Sequence, residues 1–93
     1  MLGDAIDKIA TFGNEEYWET CVCGSINGVL NSFTIINSVD NWKANKDFVD
    51  SYAEQMADLF LALDALSVTS GLDALIAKKI KNRLSDLGLV VES

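Results

Sequence analysis

The chain predicts an all-α fold, a four-helix bundle with two long central helices. Apolar residues recur at three- and four-residue spacing along most of the sequence, the signature of helices with one buried face. Proline is absent, so nothing interrupts long helices. The one β-branched run, Thr34, Ile35, Ile36 and Val39, is too short and isolated to build a sheet. Ninety-three residues make one small helical domain, residues 1–93, with an apolar content of 49% that suffices for a core. A chain this short buries a limited share of its surface, and pairing with a second copy is expected to complete it.

The first helix covers about residues 3–11, with Leu2, Ile6, Ile9 and Ala10 on one side and Gly13 at its end. Asn14 is placed to cap a second helix, with Glu15 and Glu16 in the first turn where the helix dipole favours negative charge. That helix runs to about Phe33, and Trp18, Val22, Ile26, Val29, Leu30 and Phe33 mark its buried stripe. Gly24 and Gly28, four residues apart, predict a close helix–helix approach. Thr34 to Asn45 breaks the period, with Asn37, Asp40, Asn41 and Asn45 as turn signals and Trp42 packing the connection onto the bundle. A lid or stacking surface over a bound base is the other role open to Trp42.

The third helix, about residues 46–66, has a broad apolar face built from Phe48, Val49, Tyr52, Met56, Leu59, Phe60, Leu63 and Leu66. Ser70-Gly-Leu-Asp73 has the form of a capping box for the fourth helix, which runs to about Asp86 with Leu72, Leu75, Ile76, Ile80 and Leu84 facing inward. Gly88 is a suitable C-terminal stop. The short connection predicts that the last two helices are antiparallel.

The net charge of −7 is unevenly distributed: Lys78, Lys79, Lys81 and Arg83 supply four of the seven basic residues within six positions. An acidic body disfavours a nucleic-acid duplex, whose binding requires neutralising many phosphates. A local basic cluster suits a small anionic ligand, or simply solvates a last helix whose dipole favours cations near its C-terminal end. Cys21 and Cys23 lack the companions that a zinc site needs, histidine being absent, and read as buried free thiols. Without histidine no Ser-His-Asp or Cys-His pair can form, and Gly24 and Gly28 lack the phosphate-loop pattern. No apolar run reaches the length of a membrane span, and Asp4 and Asp7 follow Met1-Leu2 directly, so a cytoplasmic protein is expected.

Asp47, Asp50, Glu54 and Asp58 form an acidic stripe along the third helix. Glu54 and Asp58, at i and i+4, share a face and can reach one ion, and Asp50 adds a carboxylate one turn earlier. Glu54-Gln-Met-Ala-Asp58, the apolar run after it, Gly71-Leu-Asp73 and Lys78-x-x-Lys81-Asn82 together resemble the second half of the MazG-like all-α nucleoside triphosphate pyrophosphohydrolases. The resemblance covers about residues 47–87 in order and spacing, and Phe12-Gly13-Asn14-Glu15 resembles the entry to the first long helix of phage-type members.

The resemblance implies a four-helix fold that dimerises or forms a higher homo-oligomer, pairing here through the hydrophobic side of the second and third helices. It implies Mg²⁺ held by Glu54 and Asp58 with Asp50 assisting, these acids serving catalysis, and phosphate held by Lys78, Lys81 and Asn82. The chain departs from the pattern in its first half. The family's E-E-x-x-E falls near residues 23–27, where Cys23, Gly24 and Asn27 stand, and the first acid of E-x-x-D falls at Gln55. A rival alignment uses the literal Glu15-Glu16-Tyr-Trp-Glu19, whose glutamates also serve as first-turn dipole partners. The expectation is therefore a MazG-like scaffold with impaired or lost hydrolysis that binds a nucleotide or protein partner. The alternatives are an active Mg²⁺-dependent pyrophosphohydrolase and a small acidic interaction protein of a phage or mobile element.

Overall fold

The computed structural model describes residues 4–89, and every regular element among them is helical. α1 spans Asp4–Ala10, α2 Glu15–Ser38, α3 Lys46–Thr69 and α4 Asp73–Asp86, with a 3-10 turn at Trp42–Ala44. Asparagines open both long helices: Asn14 accepts from the Tyr17 amide at 2.9 Å and Asn45 from the Phe48 amide at 3.1 Å. Leu2 lies outside the described residues.

α2 and α3 pack along much of their length, and α1 lies across α3. The indole of Trp18 donates to the Ala10 carbonyl at 3.1 Å and joins Ala10, Ala62 and Ala65 in the central cluster. Ile6, with 2% of its surface exposed, anchors α1. The side of α2 turned inward is Trp18, Val22, Ser25, Val29, Ser32 and Ile36, whereas Ile26, Leu30 and Phe33 of the expected stripe are exposed. Small residues explain the shift. A side chain added at Gly28 would begin 3.1 Å from Gln55, so the backbone of α2 comes close to α3 at this level, while Gly24 has nothing within 4 Å.

α2 continues five residues past the expected end at Phe33, through Thr34, Ile35 and Ile36 to Ser38. β-branched residues carry only a small helix penalty, and Thr34 and Ser38 bond back to the carbonyls of Leu30 and Thr34 within the helix. The connection then folds onto α3. Trp42 sits edge-on to Phe48 and Tyr52 with ring centroids 5.8 and 5.9 Å apart, the packing role expected of it.

The link to α4 departs from expectation most. α3 continues to Thr69, and Gly71, at φ +74°, closes it in a Schellman motif: the Gly71 amide bonds the Val68 carbonyl and the Leu72 amide the Ser67 carbonyl, both at 3.0 Å. Ser70 donates backward to the Ser67 carbonyl, so the predicted capping box does not form and Leu72 opens α4 without a side-chain cap. The chain turns through 119° between α3 and α4 rather than reversing into an antiparallel pair. No residue of α4 is buried: Leu72, Leu75, Ile76 and Ile80 form the apolar face that was expected, but it stands open. Gly88, at φ +82°, ends α4 in a second Schellman motif. No single helix among the described residues is long and apolar enough to cross a membrane.

Candidate functional site

An open groove of about 480 Å³ runs between α2 and α3. The close approach at Gly28 brings the helices together at one end, and the missing side chain at Gly24 leaves space beside it. Asp58 and Gln55 reach the groove from α3, facing Cys21, Gly24, Ser25 and Gly28 of α2, with Trp18 and Ala62 forming apolar wall. Asp58 is the one carboxylate on this lining. Burial also confines Gln55: its side-chain oxygen accepts from the Ser32 hydroxyl at 3.0 Å, and the same hydroxyl lies 3.2 Å from the Gly28 carbonyl.

The other sequence-predicted residues lie elsewhere. Asp50 and Glu54 stand exposed on α3, two turns and one turn before Asp58 respectively, and do not line the groove. Glu15, Glu16 and Glu19 are exposed near the start of α2, the first two in the dipole-favoured first turn. Lys78, Lys81 and Asn82 are exposed on α4. Lys78 and Asn82 are out of phase with Ile76, Ala77 and Ile80, the residues by which α4 faces α3, and Lys81, one turn after Ala77, stands at the edge of that face without lining the cleft. The residues through which α3 meets that second surface, Phe60, Leu63, Asp64 and Ser67, lie on a different side of α3 from Gln55 and Asp58. Within one chain, the carboxylate of the groove and the ammonium groups of α4 therefore do not share a pocket.

Among the described residues no group of three or more His, Cys, Asp or Glu side chains is placed to hold a metal ion. Mg²⁺ favours several hard oxygen ligands. A groove offering one carboxylate, a hydroxyl, a thiol and an engaged amide fits that ion poorly. Both cysteines are free. Cys21 is half-buried at the groove edge, whereas Cys23 is exposed rather than buried as expected, because positions i and i+2 diverge on a helix. The Tyr17 phenol is held above its ordinary ionisation range, chiefly by its hydrogen bond to Cys21, then by the charge the thiol can carry, with burial contributing least. On α2, Ser25 and Cys21 are groove residues that the apolar pattern did not single out, as are Leu61 and Ala62 on α3. The signal on α2 is the four-residue step from Cys21 to Ser25, in register with Trp18 and Val29.

No protein-family model matches the chain, and neither a curated protein nor a solved structure matches it.

Proposed function

We propose that this chain is a MazG-like helical scaffold in which nucleotide pyrophosphohydrolysis is impaired or lost, and that it binds a nucleotide or a protein partner instead. The observation that supports this is the makeup of the α2–α3 groove, where Asp58 faces Cys21, Gly24, Ser25 and Gly28 with no second carboxylate on the lining. Hydrolysis at a phosphoryl group needs concentrated positive charge to neutralise what develops in the transition state. A single carboxylate holds a divalent cation weakly, and no basic residue stands on the groove's lining.

The groove is nevertheless suited to holding a ligand. It has an apolar wall at Trp18 and Ala62, with the Asp58 carboxylate and the Ser25 hydroxyl opposite one another. A concave surface with a few convergent polar groups is the usual form of a small-ligand site. One feature favours residual catalysis: Asp50, Glu54 and Asp58 follow at four-residue steps on exposed turns of α3. In that second reading Glu54 and Asp58 hold Mg²⁺ with Asp50, and Lys78, Lys81 and Asn82 meet phosphate.

The test is incubation with a panel of deoxynucleoside triphosphates and Mg²⁺, read as pyrophosphate release and as a shift in melting temperature. Absence of release, together with Mg²⁺-dependent stabilisation by a nucleotide that Asp58→Ala abolishes, is the expected result for a nucleotide-binding scaffold. Release that disappears in Asp58→Ala overturns the loss of catalysis. Silence in both assays removes the nucleotide and leaves a protein partner.

A further inference from the structure

The larger open surface lies on the other side of α3. α1, α3 and α4 enclose a cleft of about 640 Å³ with Ile6, Phe60, Leu63 and Val68 on one side and Ile76 and Ile80 on the other. Phe60 and Ile80 are accessible, with 48% and 56% of their surface exposed, Ile6 is buried, and Leu72 and Leu75 extend the apolar area along α4. Three carboxylates with exposed side chains, Asp4, Asp7 and Asp73, stand on its lining.

This surface needs a cover whenever the chain is folded. A helix of 14 residues without a buried side chain is marginal in water, so α4 requires packing from outside its own chain. The overall dimensions agree. The radius of gyration is 15.9 Å, where a compact chain of this length has roughly 12 Å. The accessible surface is 6985 Å² for 10.1 kDa, where a compact monomer exposes roughly 5300 Å². The excess is larger than the roughly 800 Å² that one partner contributes to a standard interface.

The chain also carries the complement of its own cleft. On α4, Lys79 and Arg83 each follow an apolar cleft residue, Ile76 and Ile80, by three positions, so cations flank the apolar row. The cleft offers an apolar floor with carboxylates beside it. The competing open row on α2, Ile26, Leu30 and Phe33, lies in a stretch from Thr20 to Val39 without any charged residue, and nothing there orients a partner. A cover that must always be present, with an apolar row flanked by cations, is supplied by another copy of the same chain, and a two-fold axis uses each matched pair twice.

We infer that α4 of a second copy fills the cleft between α1, α3 and α4, its Lys79 and Arg83 meeting Asp4, Asp7 and Asp73, to form a two-fold homodimer. The interface lies on α4 and its cleft rather than on the hydrophobic side of α2 and α3, whose open row Ile26, Leu30 and Phe33 has no charged residue beside it in the chain from Thr20 to Val39. The inference is independent of the nucleotide reading.

The test is light scattering on the full chain at micromolar concentration and on two charge-reversed variants, Lys79→Glu with Arg83→Glu, and Asp4→Lys with Asp7→Lys. The native chain is expected at twice 10.1 kDa, and each variant alone should dimerise about tenfold or more weakly because like charges then face each other. Mixing the two variants should restore a dimer, since positions 79 and 83 of each copy again meet opposite charges at positions 4 and 7 of the other, with Asp73 unchanged in both. That restoration shows that the variants fold. A monomeric native chain, a dimer that neither variant weakens, or two weakened variants that do not recover on mixing would each overturn the interface, as would a native monomer that instead captures a basic amphipathic peptide.

Discussion

Ser32 and Gln55 tie the two long helices together: the Ser32 hydroxyl donates to the Gln55 side-chain oxygen at 3.0 Å, a contact between buried Ser32 and half-buried Gln55. The first acid of the resembling E-x-x-D pattern would occupy position 55. A neutral amide oxygen that already accepts a hydrogen bond from across the interface is a weaker ligand for a cation than a free carboxylate. Position 55 thus serves as a clamp beside the groove, and Asp58 is left to face α2 alone.

The clamp predicts a measurable coupling. Ser32→Ala and Gln55→Ala should each destabilise the fold by about 1 kcal/mol, and the double mutant by less than the sum, with a coupling of about 0.5–1.5 kcal/mol. Urea denaturation followed by circular dichroism gives all four values. Strict additivity would show that the bond contributes nothing across the interface.

Gly24 and Gly28 should respond with opposite signs. At Gly24 an alanine meets no atom within 4 Å, so helix propensity alone acts and the variant should be more stable by about 1 kcal/mol. At Gly28 the new methyl would lie 3.1 Å from the Gln55 amide carbon and oxygen, forcing the clamp residue aside. Gly28→Ala should lower stability by about 1–3 kcal/mol despite its better propensity. Melting temperatures of the two variants decide this, and equal shifts would mean that the helices do not meet closely at residue 28.

The two glycines also mark what could be read in advance. Asn14 and the stop at Gly88 are local signals, and local physics determined them; α3, by contrast, buries Ala62, Ala65 and Ser67 and leaves Phe60 and Leu63 of its expected apolar face exposed. The inner stripe of α2 was misplaced because its contacts run through Ser25, Gly28 and Ser32, which carry no apolar signal, while Ile26, Leu30 and Phe33 do. Ser70 has the residue type of a cap, but Gly71 enters the left-handed region and turns the serine back onto α3. The 119° turn that follows depends on the geometry of that closure rather than on any periodicity, so the open face of α4 and the separation of Lys78 and Lys81 from Asp58 were not legible. The missing acids opposite Asp58 were legible, since no carboxylate occurs between Thr20 and Val39.

Tyr17 gives a pH prediction. Its phenol is raised above its ordinary ionisation range principally through Cys21, so the folded state prefers the protonated form. The contribution to stability is fully present below the unfolded value of 10.0 and is lost as pH climbs from there through the raised folded value. In a Tyr52→Phe background Tyr17 is the remaining tyrosine, and phenolate absorbance should titrate above the ordinary range. Adding Cys21→Ala should bring the midpoint back down. A midpoint that does not move on removing the thiol would rule out Cys21 as the cause.

Trp18 holds α1 to the rest of the fold. Its indole N–H reaches the Ala10 carbonyl at 3.1 Å, whereas the other side-chain donor near that carbonyl, Thr69, lies at 3.5 Å and bonds the Ala65 carbonyl at 2.8 Å. α1 has seven residues and cannot persist without such anchoring. Trp18→Phe keeps most of the ring but removes the donor from a buried carbonyl, and should cost about 1–3 kcal/mol. Trp18→Ala also empties the central cluster and should cost about 3–5 kcal/mol. The informative readout is amide hydrogen exchange. In Trp18→Phe the amides of α1 should lose protection ahead of those in the middle of α2 and α3, because the helix–helix contact at Gly28 and Gln55 is untouched. Uniform loss of protection across all three helices would show that the indole supports the whole core rather than α1.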